Sequence, residues 1–386
     1  MLNFNFQAPT KILFGKNKIE ELPAEIKHFG KRILLAYGGG SIKTYGLYSK
    51  LTDLLRNNNI EYKELSDIEP NPRITSVRKG AELCKEFDLQ LILAVGGGSV
   101  IDCCKNIAAA AKYDGDAWDF LIGKANVTDA LPIASVLTLS ATGSEMNAGA
   151  VISNWETNQK LVMSSPLLIP KVSVLDPTYT FTVNKWQTAA GTTDIFTHVC
   201  EQYFSTIPNT DIQDRISEAI MLTCIQYGMT ALDEPENYEA RANLMWASSL
   251  ALNGMISTGK VGDWTTHMIE HELSAYYDIT HGAGLAIILP HWMEYVLDET
   301  NVWKFETFAK NVWKLSGNNS MQLAKEAIAK TREFFTEMGM PQKLVEVDIN
   351  EEYLPKMAKH ACRYGSLGFF KKLSEQDVFN ILKSAL

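Results

Sequence analysis

The sequence predicts an α/β layer followed by an all-α region, with the change of character near residue 184. Three observations carry this expectation. Short apolar runs alternate with helical patterns through the first half, the arrangement that gives a parallel sheet with crossover helices. Two of those runs end in the same tetrapeptide, GGGS, at 38–41 and 96–99, each just ahead of a helical pattern. From about Thr188 onward the chain is mostly long helical pattern, rich in alanine, leucine, methionine and glutamate. A doubly wound, mostly parallel sheet over 1–183 and a helical domain over 184–386 are therefore expected, and 386 residues suit two domains of roughly 100–200 each.

Taken in order, KRILLAYGGG (31–40) is an apolar run broken by glycines, and residues 44–59 then show helical spacing through Leu47, Leu51, Leu54 and Leu55. EYKELSDI reads as a strand. The helix over 72–88 opens on Pro72, because a proline in the first turn forfeits no helical hydrogen bond. LQLILAVGGGS (89–99) repeats the run-plus-glycines pattern and leads into the helical VIDCCKNIAAAAKY. A strand in LPIASVLTLSATGSE follows, then a strand pair near AVISNWETNQKLVMSS, and the helical character begins after VSVLDPTYTFTVNKWQ (172–187). Helices are expected over 188–206, 211–230, 237–258, 263–276, 283–298, 302–315, 319–339 and 374–386.

The glycine loops point to phosphate. Backbone N–H groups at a helix start are unpaired and partly positive, and glycine lets an anion come close. Either loop alone is compatible with a tight strand-to-helix turn. Two of them at corresponding places in one sheet favour a dinucleotide at the strands' carboxyl ends, although neither is a GxGxxG fingerprint. Asp102 lies in the first helical turn after the second loop, where it could cap the helix. In the first loop, Gly38, Gly39 and Gly40 lead to Ser41 and Lys43 with no acid at the strand end, which suits a ribose 2′-phosphate. NADP(H) is preferred on this ground, with NAD(H) as the alternative.

Histidines supply the second signal. Asp194 and His198 stand four apart in AAGTTDIFTHVCEQY, as do His267 and His271, so each pair shares one helix face. His281 precedes a glycine pair, as a residue at a helix start would. An aspartate and histidines from separate helices can converge on one divalent metal, iron or zinc among others. A lone pair of this kind is commonly incidental; two in a chain of seven histidines are less so. HMIEH also fits the H-x-x-E-H pattern of certain zinc peptidases, with Glu270 as base. That reading leaves Asp194, His198, His281 and both glycine loops without roles. His28 and His360 are expected to be solvated, and His291 to pack locally.

Composition excludes several classes. A net charge of −9 offers no basic surplus for nucleic acid or anionic membrane, and apolar runs such as LILAV fall far short of the ~20 residues that span a bilayer. The opening MLNFNFQAPTKILFG has neither the basic cap nor the apolar core of a secretory signal. Six scattered cysteines, none in CxxC spacing, suit reduced thiols in the cytoplasm.

The paired loops, TLSATGSEMNAGAVIS, AAGTTDIFTH and THMIEHELSAYYDITHGAGLAIILPHWMEY together resemble the iron-containing (group III) alcohol dehydrogenases, closest to the bacterial NAD(P)H-dependent butanol dehydrogenases, over essentially the whole chain. The resemblance implies a dehydroquinate synthase-like fold with its active site between an α/β and a helical domain. It implies a metal, iron before zinc, on Asp194, His198, His267 and His281, with His271 beside the metal as a candidate proton relay. It places pyrophosphate on Gly97, Gly98 and Ser99, matches Asp102 to its GGGSxxD position, and sets Asn71 at the adenosine end. Thr138, Thr142 and Asn147 would run along the ribose and nicotinamide, with Lys160 reaching the ribose. Short-chain alcohols and aldehydes are the implied substrates, and a homodimer through the N-terminal strands the implied assembly. A zinc polyol or glycerol dehydrogenase of the same fold is the alternative; that group uses one Asp and two His, so the additional His198 argues against it. Trp264 and Met163 are candidates for the substrate pocket.

Overall fold

A computed structural model describes all 386 residues. The chain forms two compact units, one of Gln7–Val183 with Pro235–Asn253, the other of Met1–Phe6, Asn184–Glu234 and Gly254–Leu386. No helix is long and apolar enough to cross a membrane.

The first unit opens with β1 (Lys11–Phe14), α1 (Leu22–Ile26), β2 (Arg32–Tyr37), α2 (Ser41–Thr44), α3 (Leu47–Asn57) and β3 (Glu61–Leu65). It continues with α4 (Ile74–Glu86), β4 (Leu91–Gly96), α5 (Gly98–Ala110), β5 (Ile133–Leu137), the hairpin β6 (Gly149–Asn154) and β7 (Gln159–Ser164), and β8 (Val172–Leu175). Six strands form one sheet in the order β1-β8-β5-β4-β2-β3, and every pairing in it is parallel. Successive residues of a strand face opposite sides. Ile33, Leu35 and Tyr37 therefore pack with Leu51 and Leu55 of α3, whereas Leu34 and Ala36 pack with α4 and α5. Burial on both faces is why the central strands read as unbroken apolar runs.

The order contains a switch point. From β2 the chain moves to one side, to β3, and then returns past β2 to β4. The helices after β2 and β4 consequently cover opposite faces, and a crevice opens at the carboxyl ends of those two strands. Both GGGS loops lie there.

The helical unit holds α6 (Lys185–Tyr203) and α7 (Asp211–Asp233); the intervening α8 (Tyr238–Leu252) belongs to the first unit. It then continues with α9 (Thr265–Tyr277), α10 (His281–Val296), α11 (Val302–Asn311), α12 (Ser320–Glu337), α13 (Leu354–Ala361) and α14 (Glu375–Ser384). Every residue of α6 from Thr188 onward is buried, so it serves as the central column. Phe196 on it packs among Phe308, Phe334, Phe335 and Trp313, and Phe204 just beyond meets Trp292, Phe305 and Phe370.

Several features depart from expectation. β1, α1 and α13 have no counterpart in the sequence reading; β1 is four residues long and α1 five, and α13 starts at a proline-containing turn in the least patterned part of the chain. Residues 237–258 were expected in the helical domain, yet α8 packs with the sheet unit. Gly143, at φ +59, explains why: a Cβ there would lie 2.6 Å from the Ser248 carbonyl oxygen, so only glycine lets this loop press on the helix backbone. Ser249 also donates to the buried Glu145.

Candidate active site

In the helical unit the Asp194 carboxylate is a hub. Its Oδ1 lies 3.1 Å from His198 Nδ1 and 3.7 Å from Nε2 of both His267 and His281. Asp194 and His198 stand one turn apart on α6, His267 sits in the first turn of α9, and His281 is the first residue of α10. Asp194, His267 and His281 offer ligand atoms all within 4.8 Å of one another. His198 joins through Asp194 and through its ring, 4.4 Å from that of His267. His271 stands one turn further along α9, its ring 5.9 Å from that of His281, beside the cluster rather than in it.

These atoms fit a cation. Asp194 Oδ1, His198 Nδ1 and His267 Nε2 are buried without a hydrogen-bond partner, an arrangement that costs about 1–3 kcal/mol per group unless something satisfies it. One carboxylate with imidazoles is a donor set for iron or zinc. Burial alone would raise the Asp194 carboxyl, but the surrounding imidazoles hold it down at about 2. Burial and the two neighbouring imidazoles pull His198 down to about 3, against the attraction of Asp194. His267 goes the other way: burial opposes its charge, yet Asp194 and Glu201 hold it up at about 9. Without metal, a proton on His267 thus offsets the Asp194 carboxylate.

Around the cluster sit residues that sequence reasoning missed. Glu201, two turns beyond Asp194 on α6, accepts the backbone N–H of His267 at 3.0 Å and lies 3.4 Å from its Nδ1. The i, i+7 spacing from Asp194 was the available signal. Glu270, expected to be a base only in the peptidase reading, instead bonds His281 Nδ1 and Ser274 Oγ. Trp264 closes the site from the start of α9, its ring edge-on to His198 and His267. Its backbone is left-handed, φ 64, an uncommon conformation for an aromatic residue and one that concentrates at functional sites. Met163, the other pocket candidate, is packed in the core of the sheet unit. His291, expected to pack locally, instead meets α14 and α12, its Nδ1 3.1 Å from Ser384 Oγ and its Nε2 3.3 Å from Arg332.

The two glycine loops of the other unit differ from each other. In the second, α5 starts at Gly98 with no side-chain cap, presenting first-turn N–H groups. A Cβ on Gly98 would fall 2.3 Å from Thr142 Oγ1, and one on Gly97 would fall 3.2 Å from Leu139 Cβ, so these glycines bring the 138–142 loop onto the helix start beside Ser99. Thr138 is tied in by its N–H to the Gly96 carbonyl at 3.1 Å. In the first loop, a Cβ on Gly39 or Gly40 would meet nothing within 4 Å, and neither φ is positive. Neither packing nor backbone demands glycine there, which leaves room for a ligand.

Asp102 does not cap the helix. Its buried carboxylate accepts from Ser144 Oγ at 2.5 Å and Val151 N–H at 2.9 Å, fastening α5 to the loop and hairpin. Asn147 is likewise held, accepting from Lys105 Nζ at 2.9 Å and donating to the Thr142 carbonyl at 3.3 Å. Lys105, fully buried, also donates to the Gly149 carbonyl at 2.7 Å. Lys160 is buried on β7 opposite Ser153. Asn71 is buried at φ 49, immediately before Pro72, its carbonyl accepting from Arg73 at 2.7 Å. Beside the first loop Ser41 is exposed, and the Lys43 ammonium stands 5.1 and 5.0 Å over the Tyr37 and Tyr48 rings. Both phenols donate to Glu64 of β3, so an acid does reach this corner, from the neighbouring strand.

A family profile described as iron-containing alcohol dehydrogenase matches residues 9–177, and its C-terminal counterpart, Fe-containing alcohol dehydrogenase family, matches residues 188–386. The chain belongs to the iron-containing alcohol dehydrogenases. It is 54% identical to NADH-dependent butanol dehydrogenase A of Clostridium acetobutylicum over 100% of both chains. It is 42% identical to the NADPH-dependent aldehyde reductase YqhD of Escherichia coli, over 95% of this chain and 94% of that one. The crystal structure of NADH-dependent butanol dehydrogenase A from Thermotoga maritima superposes with a TM-score of 0.96 at 42% identity, covering 100% of this chain and 99% of the other. The parallel-sheet and helical architecture is therefore that of the iron-containing alcohol dehydrogenases, and the chain is an enzyme of that class. A divalent metal and a nicotinamide cofactor are its working groups.

Proposed function

We propose that this alcohol dehydrogenase interconverts short-chain primary alcohols and aldehydes of the butanol and butanal type, working chiefly as an aldehyde reductase in the cytoplasm. The carrying observation is the buried Asp194 hub with imidazoles of His198, His267 and His281 around it. Relatives named butanol dehydrogenase and aldehyde reductase support the substrate class. A divalent cation, iron before zinc, would be held by these four residues and would supply Lewis-acid polarisation of the substrate oxygen, worth several kcal/mol as hydride arrives. One carboxylate among four ligands leaves the site net positive, the sign that favours charge on oxygen. His271, buried one turn from His267, is assigned the proton that the product oxygen needs.

The dinucleotide is assigned to the crevice between β2 and β4, with pyrophosphate at Gly97, Gly98 and Ser99 and the adenosine end toward Asn71. Thr138, Thr142, Asn147 and Lys160 are assigned to its ribose and nicotinamide half, where Asp102 acts as a fastener of the loop. Gly38, Gly39, Gly40, Ser41 and Lys43 are assigned to the ribose 2′-substituent, with NADP(H) preferred and NAD(H) accepted. The exposed hydroxyl and ammonium favour the phosphate; Glu64 nearby and the NADH-dependent relatives favour use of both. A homodimer is the proposed assembly, supported by the exposed Leu2, Phe4 and Phe6 of the N-terminal segment.

A polyol dehydrogenase is the second reading, because Asp194, His267 and His281 converge without His198. Anaerobic purification with metal analysis, followed by NADPH and NADH oxidation against linear aldehydes and glycerol oxidation, tests both. One iron per chain and turnover of butanal are expected; glycerol oxidation without aldehyde reduction would decide for the alternative.

A further inference from the structure

Glu270 is not among the four metal ligands, yet it is completely buried on α9. Its Oε2 is hydrogen bonded to His281 Nδ1, and its Oε1 accepts from Ser274 Oγ one turn along the same helix. Space for it comes from α10, where a Cβ on Gly284 would lie 2.7 Å from Glu270 Cγ and 3.1 Å from its Oε1. Ser274 and Gly284 thus form a socket that holds the carboxylate against one nitrogen of His281.

We propose that Glu270 is a positioning residue for the metal centre, accepting the Nδ1–H of His281 so that Nε2, on the Asp194 side of the ring, is the ligand atom. The inference rests on the four-ligand reading and deepens it. A neutral imidazole carries one ring proton, and the acceptor at Nδ1 decides that it sits there, leaving the lone pair on Nε2. Nε2 is the nitrogen 3.7 Å from Asp194 Oδ1. A carboxylate acceptor also makes the imidazole a stronger donor to metal. Glu270, His271 and His281 also offer ligand atoms within 4.8 Å of one another, so a second cation there is the competing use of the same acid. That use would pull Glu270 off the nitrogen it now holds, and the socket opposes it.

The test is titration of the full-length, chelator-stripped protein with Zn²⁺, combined with ¹⁵N NMR of the histidine rings. The wild type is expected to take one equivalent with His281 as the Nδ1–H tautomer. Glu270→Met should bind roughly 10–100-fold more weakly and lose the tautomer preference, and Glu270→Gln, which keeps an acceptor without the charge, should lose less. Should Glu270→Met not fold, Gly284→Ala, which displaces the carboxylate, should weaken binding in the same direction. Wild-type affinity with an unchanged tautomer in Glu270→Met, or unchanged affinity in Gly284→Ala, overturns the proposal. So does a second equivalent in the wild type that Glu270→Met abolishes, since the acid would then be a ligand. If the wild type binds no metal, or Asp194→Ala binds as tightly, it is the four-ligand reading that fails.

Discussion

Around Asp194 the helical unit gathers charge, burying a carboxylate, the imidazoles of His198 and His267 and two supporting glutamates, with the partly exposed His281 at the edge. At Gly39 and Gly40 the α/β unit does the reverse and leaves side chains out. The first region suits a cation, because Asp194 Oδ1, His198 Nδ1 and His267 Nε2 are buried without hydrogen-bond partners. The second needs only unobstructed backbone and a helix start. On the proposed assignment, a metal would be held by groups whose loss is severe, and a dinucleotide by many small contributions, each of which can be altered with graded effect.

The sharpest way to break this contrast is Asp194→Ala. Removing the hub should eliminate metal binding and cost about 10³-fold or more in aldehyde-dependent NADPH oxidation, given several kcal/mol of Lewis-acid stabilisation and 1.36 kcal/mol per decade. Metal content and absorbance at the nicotinamide band check both; an active, metal-free variant contradicts the assignment. Next in size is a pH effect. His267 in the metal-free protein titrates at about 9, so at neutral pH a cation must displace its proton. Apparent metal affinity should rise about tenfold per pH unit from 7 toward 9, then level off. Competition titrations across that range measure the slope, and a flat profile would remove the proton from His267.

Legibility followed the same division. The i, i+4 pairs Asp194/His198 and His267/His271 were visible because helix geometry converts spacing into a shared face. The GGGS repeats were visible because both follow apolar strands. What stayed hidden depends on contacts between distant segments. Asp102 looked like a cap until Ser144 and Val151 were seen to occupy its oxygens. Glu64 lies outside the GGGS loop in sequence, and only the β2–β3 pairing brings it to Tyr37 and Tyr48. Glu201 reads as an ordinary helical acid and Glu270 only as the base of a peptidase pattern, since no local pattern says which histidine nitrogen each will meet. The placement of α8 turned on one left-handed glycine, Gly143, pressing on Ser248.

Two smaller effects sharpen the comparison on the nucleotide side. Replacing Ser41 and Lys43 together by alanine should weaken NADPH by roughly tenfold while changing NADH little, because an exposed lysine–phosphate contact is worth about 1 kcal/mol or slightly more. Equal losses for both cofactors would reassign the corner to the shared part of the dinucleotide. The smallest effect separates the two glycine loops themselves. Gly98→Ala should destabilise the fold by about 1–3 kcal/mol through its clash with Thr142, whereas Gly39→Ala should leave stability within about 0.5 kcal/mol and raise the KM for cofactor. Thermal unfolding and cofactor kinetics on the pair distinguish packing from ligand space.

The most direct test of the central claim is a crystal structure of the iron-loaded protein with anomalous scattering at the iron edge. The account predicts a single peak about 2.0–2.2 Å from Asp194, His198, His267 and His281, with Glu270 still on the far side of the His281 ring. A peak on Glu270, His271 and His281, with Asp194 uncoordinated, would contradict it.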